Sequence, residues 1–329
     1  MSSIKDVAKL ANVSISTVSL AFNQPSRVSD KKREQIFEAA KQLGFTLNMR
    51  QKRTIRGEGI LFVATSNPHI YAPFYKGVQD ASSAEGVNLL PMLVEDSSDS
   101  EIYAVLESAI RKRRIAGILF AGSFSGLENA ARENGVPLVN SLIESSKSAA
   151  MLVNNYKMGT DMAHHFMKMG FRSIAYIGDD EHTRIKGFIE TLDQYRITPY
   201  DKGNWRRKVK HIDKCAEAYQ FMNDMLLTPN DLPDAVFCMT DMIAIGLMSV
   251  LESYGLKIPD DVAVAGCENI ELSQLVVPQL TTMAIPRYEQ GVQAYNLLRR
   301  MIAGGPEERI VFDAKLIIRG STSPNSGDK

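Results

Sequence analysis

The chain has 329 residues, of which 44% are apolar, and this length predicts two or three domains with hydrophobic cores of their own. Its formal net charge of zero hides a division: residues 1–58 hold 11 basic and five acidic side chains, a net charge of +6, and the remaining residues offset this with −6. The sequence opens without a charged segment followed by an apolar one, and no apolar run approaches about 18 residues, which argues against a signal peptide and a membrane span.

The first predicted elements are two short helices joined by a tight turn within residues 4–23. Ser3 occupies the position of a capping residue before the first helix, and Ser14 does so before the second, which spans residues 15–22. Apolar residues recur at helical spacing in both helices, which predicts one small buried face. The residues predicted to share it are Ile4, Val7, Ala8, Ala11, Val18, Ala21 and Phe22.

The opposite side of the second helix is predicted to be exposed. Short hydroxyl and apolar side chains occupy it, namely Ile15, Ser16, Ser19 and Leu20, with Thr17 near the helix start. Such groups suit a DNA major groove, because hydroxyls reach phosphates or base edges and apolar groups meet thymine methyls. A solvated helical pair without a partner shows the same spacing, but the basic charge of residues 1–58 favours a nucleic-acid-binding module.

A third helix is predicted over residues 30–43, where Ser29 caps its start and Gly44 ends it. Its predicted buried stripe consists of Ile36, Phe37, Ala40 and Leu43. Residues 47–59 then form a basic linker, which is either a solvated tether or a segment that binds phosphates.

From residue 60 onward, apolar strands alternate with amphipathic helices, which predicts parallel sheets covered on both faces. The repeats are too many for one five-stranded sheet, so two doubly wound lobes are expected, with ligands bound at the carboxyl ends of the strands. The predicted strands are 60–64, 88–93, 117–121, 137–142, 173–177, 235–239 and 262–265. The predicted helices are 74–85, 100–113, 126–134, 158–169, 184–194, 214–227 and 241–254.

The cysteines and histidines do not form a pattern typical of a metal site or a disulfide framework. Cys215, Cys238 and Cys267 are odd in number and widely spaced, which fits reduced thiols in a cytoplasm. His164 and His165 are adjacent on one helix, so they point to different sides and are predicted to lie at the surface. Because neither a Gly-rich phosphate loop nor a catalytic set is readable, we predict no enzyme activity, no metal and no cofactor.

Several long motifs carry a resemblance to a known family. The run I-K-D-V-A-K-L-A-N-V-S-I-S-T-V-S-L-A-F-N, followed by R-V-S-D-K-K-R-E-Q-I-F-E-A-A-K-Q-L-G-F, resembles the head of the LacI/GalR family of bacterial transcription regulators. Further motifs similar to the family are V-N-N-Y-K-M-G (153–159), M-G-F-R-S-I-A-Y-I-G (169–178), R-I-K-G-F (184–188), T-D-M-I-A-I-G (240–246), I-P-D-D-V-A-V-A-G (258–266), P-Q-L-T-T (278–282) and L-I-I-R-G-S-T (316–322).

The resemblance implies an all-α helix-turn-helix head and an α/β body like that of periplasmic binding proteins, with two doubly wound lobes. The implied boundaries are 1–46 for the DNA-binding domain, 47–59 for the hinge or linker, and 60–329 for an effector-binding and dimerisation domain. Within this domain, lobe 1 is expected to comprise about 60–153 plus 285–314, and lobe 2 about 154–284 plus 315–329, because the family's lobes exchange chain three times.

The residues expected to bind DNA are Ile4, Lys5, Ser14, Ile15, Ser16, Thr17, Ser19, Leu20, Asn23, Ser29, Asn48, Arg50, Lys52 and Arg53. Leu20 replaces an Arg that is common in the family, which predicts a different operator base at that point. In the family, a linker Leu inserts into the minor groove, whereas Gln51, Lys52, Arg53 and Thr54 occupy the corresponding places here. We therefore expect phosphate binding by the linker and leave the DNA kink open.

The resemblance also implies an effector pocket formed by Tyr71, Arg184, Thr240, Asp241 and Glu268. Arg184 falls on the family's effector-binding Arg, and a guanidinium there binds hydroxyls or a carboxylate. Thr240 stands where an Asn is common, and Cys267-Glu268 replaces the usual aromatic-Asp pair. A small polar effector, a sugar or sugar derivative, is expected; loss of ligand binding is the alternative.

Two functions follow as hypotheses. The first is a cytoplasmic transcription regulator, expected to be a repressor, that binds operator DNA as a homodimer, with a tetramer as the alternative assembly, and whose operator affinity depends on the effector. The alternatives are a regulator with a degenerate pocket controlled by a protein partner, and a cytoplasmic solute-binding α/β protein whose head is incidental.

Overall fold

The computed structural model describes residues 4–23, 28–43, 59–65, 68–94, 108, 115–122, 125–141, 148–178, 183–200, 219–220, 223 and 232–323. The chain divides into two compact units, Met1–Arg56 and Gly57–Lys329. Among the described helices, none combines the length and the apolar character that a membrane crossing requires.

The first unit is a three-helix head made of α1 (Ile4–Leu10), α2 (Ile15–Asn23) and α3 (Asp30–Gln42). Asn12 adopts a left-handed backbone conformation, with φ of 47°, and this allows the tight turn between α1 and α2. The buried core consists of Val7, Ala8, Val18, Ala21, Val28, Ile36, Ala39 and Ala40, with Ala11, Val13 and Leu43 packed against it.

One residue of the predicted stripe in α3 lies elsewhere. Phe37 is 40% exposed, whereas Ala39 is buried beside Ala40 and Ile36. The core that three short helices enclose is small, so the face of α3 that meets α1 and α2 accommodates alanines and one isoleucine more readily than a phenyl ring. The prediction that Phe37 is buried was wrong.

The second unit contains two sheets. The described strands are β1 (Gly59–Thr65), β2 (Leu89–Val94), β3 (Ile115–Ala121), β4 (Leu138–Ser141), β5 (Ala149–Val153), β6 (Ile174–Ile177), β7 (Ala235–Cys238), β8 (Ala263–Glu268), β9 (Thr281–Ala284), β10 (Arg309–Phe312) and β11 (Lys315–Ile317). The first sheet has six parallel strands in the order β10-β5-β4-β3-β1-β2. The second sheet has five strands in the order β11-β9-β8-β7-β6, where β11 alone runs antiparallel to its neighbour.

The described helices of this unit are α4 (Pro68–Ala84), α5 (Ser125–Glu133), α6 (Asn155–Lys168), α7 (Thr183–Gln194), α8 (Asp241–Ser253) and α9 (Arg287–Ile302). The predicted helices 100–113 and 214–227 fall almost entirely outside the described residues. Helix α4 begins six residues before the predicted start at Phe74, because Pro73 is tolerated inside it although it lacks a backbone donor. Tyr71, Phe74 and Val78 bury one face of this helix.

Each sheet has an apolar cluster on both faces, which explains why strands such as β3, buried at every residue, read as continuous apolar runs. The chain passes between the sheets three times, after β5, after β9 and after β10. Strands β5, β9, β10 and β11 and helix α9 were absent from the predicted elements. The alanines in β5 and the short lengths of the other strands give weak strand patterns.

Candidate functional site

The start of α2 forms the exposed face that the sequence predicts to meet DNA. The Ser14 hydroxyl accepts a hydrogen bond from the Thr17 backbone N–H at 3.1 Å, so Ser14 caps the helix as predicted. The same hydroxyl lies 2.7 Å from the Oγ of Ser16 and 2.7 Å from the Oγ1 of Thr17. Three hydroxyls are therefore clustered at the first turn, beside the exposed side chain of Ile15.

The other predicted DNA-binding residues fall into three groups. Lys5 and Ser29 are exposed on the head. Ile4, Ser19, Leu20 and Asn23 lie in α1 and α2 by their backbone, and their side chains are not described. The linker residues Asn48, Arg50, Lys52 and Arg53 lie outside the described residues. Contact of all these residues with DNA stays a prediction.

In the body, Arg184 lies in the first turn of α7 and is buried. Its Nη1 donates to the carbonyl oxygen of Met239 at 2.6 Å, and its Nη2 donates to Oδ1 of Asn155 at 2.8 Å. Met239 follows the carboxyl end of β7, and Asn155 begins α6 just after the chain leaves the first sheet. The guanidinium is thus oriented by two elements at the strand ends, where ligands bind in such folds.

Glu268 ends β8 in an unusual backbone conformation. Its φ is 114° and that of the following Asn269 is 56°, values that non-glycine residues seldom adopt. Such strain persists only where the surroundings hold it, and it concentrates at functional sites. Glu268 is partly buried, and because β7 and β8 are parallel neighbours, Glu268 and Met239 lie at the same edge of the second sheet.

Asp241 supports this strained turn from inside the protein. It is fully buried; its Oδ1 accepts from the Thr282 hydroxyl at 2.6 Å and its Oδ2 accepts from the Ile270 N–H at 2.9 Å. Burial raises the pKa of Asp241 to about 6, against the opposing effect of these hydrogen bonds and of Arg319. Both oxygens therefore hold the turn that carries Glu268, and contact of Asp241 with an effector stays a prediction.

Thr240 and Tyr71 also have structural contacts. The Thr240 hydroxyl caps α8 by accepting from the Ile243 N–H at 3.3 Å. Tyr71 packs in an apolar cluster of the first sheet together with Phe74 and is largely buried. A capping hydroxyl still has a proton to donate, and a buried Tyr still presents its ring edge, so both stay predicted effector contacts.

The structure adds a residue that the sequence analysis missed. Arg287 is the first residue of α9, and it follows β9, in which Ala284 pairs with Glu268 of β8. Burial lowers the pKa of the Arg287 guanidinium, the nearby Glu268 carboxylate raises it, and the nearby Arg184 guanidinium lowers it. One feature of the sequence could have pointed to this residue, because Arg287 follows Pro286 between a strand and a helix. The distance along the sequence from Arg287 to Arg184 or Glu268 does not indicate that the three residues lie near one another.

His165 and two thiols are further buried titratable groups around the second sheet. Nε2 of His165 lies 2.9 Å from the Thr322 hydroxyl, and burial lowers the pKa of His165 to about 4. The prediction that His165 lies at the surface was wrong, because its side of α6 faces the 3₁₀ turn at Gly320–Thr322; His164 is exposed as predicted.

Burial raises the pKa of both Cys238 and Cys267, so both are protonated thiols. Among the described residues, no group of three or more His, Cys, Asp or Glu is placed to hold a metal ion.

Comparison with known proteins places these features in a family. The family described as "Bacterial regulatory proteins, lacI family" matches residues 3–48, and "Periplasmic binding protein-like domain" matches residues 163–322. The probable HTH-type transcriptional repressor ExuR of Bacillus subtilis is 30% identical over 342 residues, which cover 98% of either chain. The chain belongs to the LacI family. It is a DNA-binding transcriptional regulator, and the match of its head excludes the hypothesis in which the head is incidental.

Two solved structures of the family share the fold of this regulator. The transcriptional regulator CelR in complex with cellobiose is 24% identical, with a TM-score of 0.71 over 98% of this chain and 100% of that chain. The lac repressor dimer bound to operator and the anti-inducer ONPF is 21% identical, with a TM-score of 0.69 over 98% of this chain and 99% of that chain. At these identities the comparison shows the fold alone.

Proposed function

We propose that this regulator is a cytoplasmic, non-enzymatic repressor that binds a near-palindromic operator as a homodimer. Each head reads one half-site with α2 in the major groove, and Ile15, Ser16 and Leu20 carry the base preference. The head comprises residues 1–46, and residues 47–59 bind phosphates as the linker. The observation that carries this proposal is the exposed, hydroxyl-rich first turn of α2 within a segment of net charge +6.

A small polar effector, a sugar or sugar derivative, binds between the two lobes and changes the operator affinity. Arg184, Glu268, Thr240 and Tyr71 contact it, and Asp241 supports the turn that carries Glu268. The lobes comprise about 60–153 plus 285–314 and about 154–284 plus 315–329. Because effector and operator are coupled through one protein, each must change the affinity for the other by the same factor. The cellobiose complex of CelR and the operator-bound lac repressor dimer support this proposal by analogy.

The test begins with a duplex selected from a random-sequence library by the purified protein. Affinity for this duplex should fall steeply between 50 and 200 mM salt, by about a thousandfold or more if six or more phosphates are contacted. Affinity that does not change with salt, or no selected sequence at all, contradicts the proposal. Sedimentation of the protein on the selected duplex measures whether two chains occupy one site.

Two exposed apolar residues of the head supply a test variant and a control variant for the role of α2 in reading bases. Ile15 is 46% exposed at the start of α2, and Leu10 is 49% exposed at the end of α1, outside the predicted contact set. Ile15→Ala should lower the preference for the selected duplex by about 1–3 kcal/mol while leaving the salt slope unchanged. Leu10→Ala should leave both unchanged, and equal effects of the two variants would place the base-reading surface elsewhere.

A further inference from the structure

The charged groups near these strand ends are unequal in number. Among the described residues that the preceding sections bring to this region, the positive ones are Arg184, Arg287 and Arg319, and the negative ones are Glu268 and Asp241. The Nη1 and Nη2 atoms of Arg184 donate to two neutral oxygens, those of the Met239 carbonyl and the Asn155 amide. A site with this balance favours a ligand that carries negative charge.

Arg287 has hydrogen-bonding capacity that the described residues do not use. Its Nη1 donates to Oε1 of Gln290, a neutral amide, at 3.2 Å. Its Nε is buried, and no acceptor for it lies among the described residues. A guanidinium has five N–H donors, and a buried N–H without an acceptor costs free energy. A ligand that supplies an acceptor to Arg287 would remove this cost and would therefore be bound more tightly.

The position of Arg287 is set by close backbone packing. Helices α4 and α9 touch at glycines: a Cβ on Gly291 would lie 2.0 Å from the Phe74 carbonyl oxygen, and one on Gly77 would lie 2.1 Å from the Tyr288 carbonyl oxygen. Gln290, which accepts from Arg287, is itself buried and donates to the Leu152 carbonyl at 3.3 Å. The first turn of α9 is therefore rigidly placed, and this restricts where the guanidinium can lie.

We propose that the effector carries an anionic oxygen group, a carboxylate or a phosphate, and that Arg287 binds this group. Glu268, at the paired strand end, accepts a hydrogen bond from a hydroxyl of the same ligand, so the preferred ligand is a sugar acid or a sugar phosphate rather than a neutral sugar. This inference rests on the proposed effector function and names the chemical class of its ligand. A two-pronged guanidinium contact matches the geometry of a carboxylate and of a phosphate, and it is stronger than a hydrogen bond between neutral groups.

The experiment is isothermal calorimetry of the full-length protein with pairs of ligands that differ only at carbon 6, where one member of each pair carries an anionic group. The pairs are D-glucuronate with D-glucose, D-galacturonate with D-galactose, and D-glucose 6-phosphate with D-glucose. At least one acid should bind at least about tenfold more tightly than its neutral partner, as expected for a charge-assisted hydrogen bond. The uronates and the sugar phosphate then distinguish a carboxylate pocket from a phosphate pocket.

Substitutions at Arg287 test whether this residue makes the difference. Arg287→Gln should lower affinity for the acid by about 10- to 100-fold and so reduce the preference for the acid over its neutral partner, and Arg287→Lys should restore part of the loss. Arg300→Gln is the control, because Arg300 lies on the same helix and pairs with Glu308 at the surface. A melting curve and operator binding of each variant confirm that it is folded.

The outcomes separate this inference from the proposed function. Equal binding of an acid and its neutral partner, binding of none of the acids, or an undiminished affinity of Arg287→Gln for the acid would each overturn the anionic ligand. Binding of neutral sugars that is coupled to operator release would leave the effector function standing. Salt-dependent operator binding is measured on the same preparation, so a failure of DNA binding is recognised independently.

Discussion

Nη2 of Arg184 donates to Oδ1 of Asn155 across 2.8 Å, and this bond ties the guanidinium to the segment that joins the two sheets. Asn155 begins α6 immediately after the first passage between sheets. The neighbouring Asn154 contacts the third connection between the sheets, which follows β10. Its backbone N–H donates to the Phe312 carbonyl at 2.9 Å, and its side-chain amide donates to Asp313 at 3.1 Å. A ligand on Arg184 would therefore act directly on the connections between the lobes.

Replacing Arg184 should remove the response to ligand. A ligand at about 100 times its dissociation constant adds about 2.7 kcal/mol to the free energy of unfolding. In a thermal-shift screen of sugars, sugar acids and sugar phosphates, Arg184→Ala should lose the rise in melting temperature that the wild type shows. Arg132→Ala, at an exposed site on α5, should keep it. A full rise in the Arg184 variant would remove this residue from the pocket.

Thr282 should matter more to stability than other buried threonines. It is fully buried, donates to the Asp241 carboxylate and accepts from the Asn269 N–H at 3.2 Å. Thr282→Val should lower the free energy of unfolding by about 2–3 kcal/mol at pH 7.5, because a hydrogen bond to a charged group is lost. The pKa of Asp241 is about 6, so at pH 5 the carboxyl is protonated and the loss should be smaller.

Thr191→Val is the matched control for that measurement. Thr191 is buried as well, but its hydroxyl donates to a neutral oxygen, the Gly187 carbonyl at 2.7 Å. Its loss should be about 1 kcal/mol and independent of pH. Denaturant titrations at both pH values measure the two losses, and equal, pH-independent losses would show that Asp241 is not the group Thr282 stabilises.

His165 should make the protein less stable in acid. Its pKa is about 4 in the folded chain and about 6.5 when unfolded, so between these values the unfolded state binds more protons. The contribution of His165 to stability is therefore complete above about pH 6.5 and is lost as the pH falls towards 4, by up to about 3 kcal/mol. Over this range the wild type should lose more stability than His165→Gln.

Two features make this pH comparison decisive. Asp241 has the opposite effect on the pH dependence of stability, because its raised pKa lets the folded state bind more protons between about pH 4 and pH 6. Asp241 is present in every variant, so its effect cancels when the stability of a variant is compared with that of the wild type. His164→Gln, one residue away and exposed, should keep the wild-type pH profile. A His165→Gln profile parallel to that of the wild type would contradict the buried, neutral imidazole.

Gly159 should tolerate no side chain. A Cβ there would lie 2.0 Å from the Arg184 carbonyl oxygen and 2.7 Å from the Phe188 nitrogen, so α6 and α7 would have to separate. Gly159→Ala should lower the free energy of unfolding by about 1–3 kcal/mol and weaken ligand binding by displacing Arg184. His164→Ala, on the exposed side of α6, is the control. An unchanged melting point for Gly159→Ala would show that the helices separate without loss.

Local pattern was sufficient for the basic charge of the head and for most of the elements, but not for β5, β9, β10, β11 and α9. The Ser14 cap, several helix starts and the longer apolar strands follow from residues within a few positions of one another, and such local signals need no knowledge of the fold. The division of charge at residue 58 is likewise a property of the sequence alone. The motifs were long enough to indicate the family, and they carry the prediction that Arg184 contacts the effector.

Only the tertiary structure decided which of the predicted site residues are buried and what they contact. Asp241 follows β7 and Thr282 lies in β9, and the two residues, 41 positions apart, meet because β7, β8 and β9 are consecutive strands of one sheet, so no spacing reveals that Asp241 is internal. Arg287 comes near the end of β8 because β9 pairs with β8 before the chain returns to the first sheet, and His165 is buried by a turn 157 positions away. Spacing determines which residues share a face of an element, but the partner of that face, and hence its burial and charge, is determined by packing between distant segments.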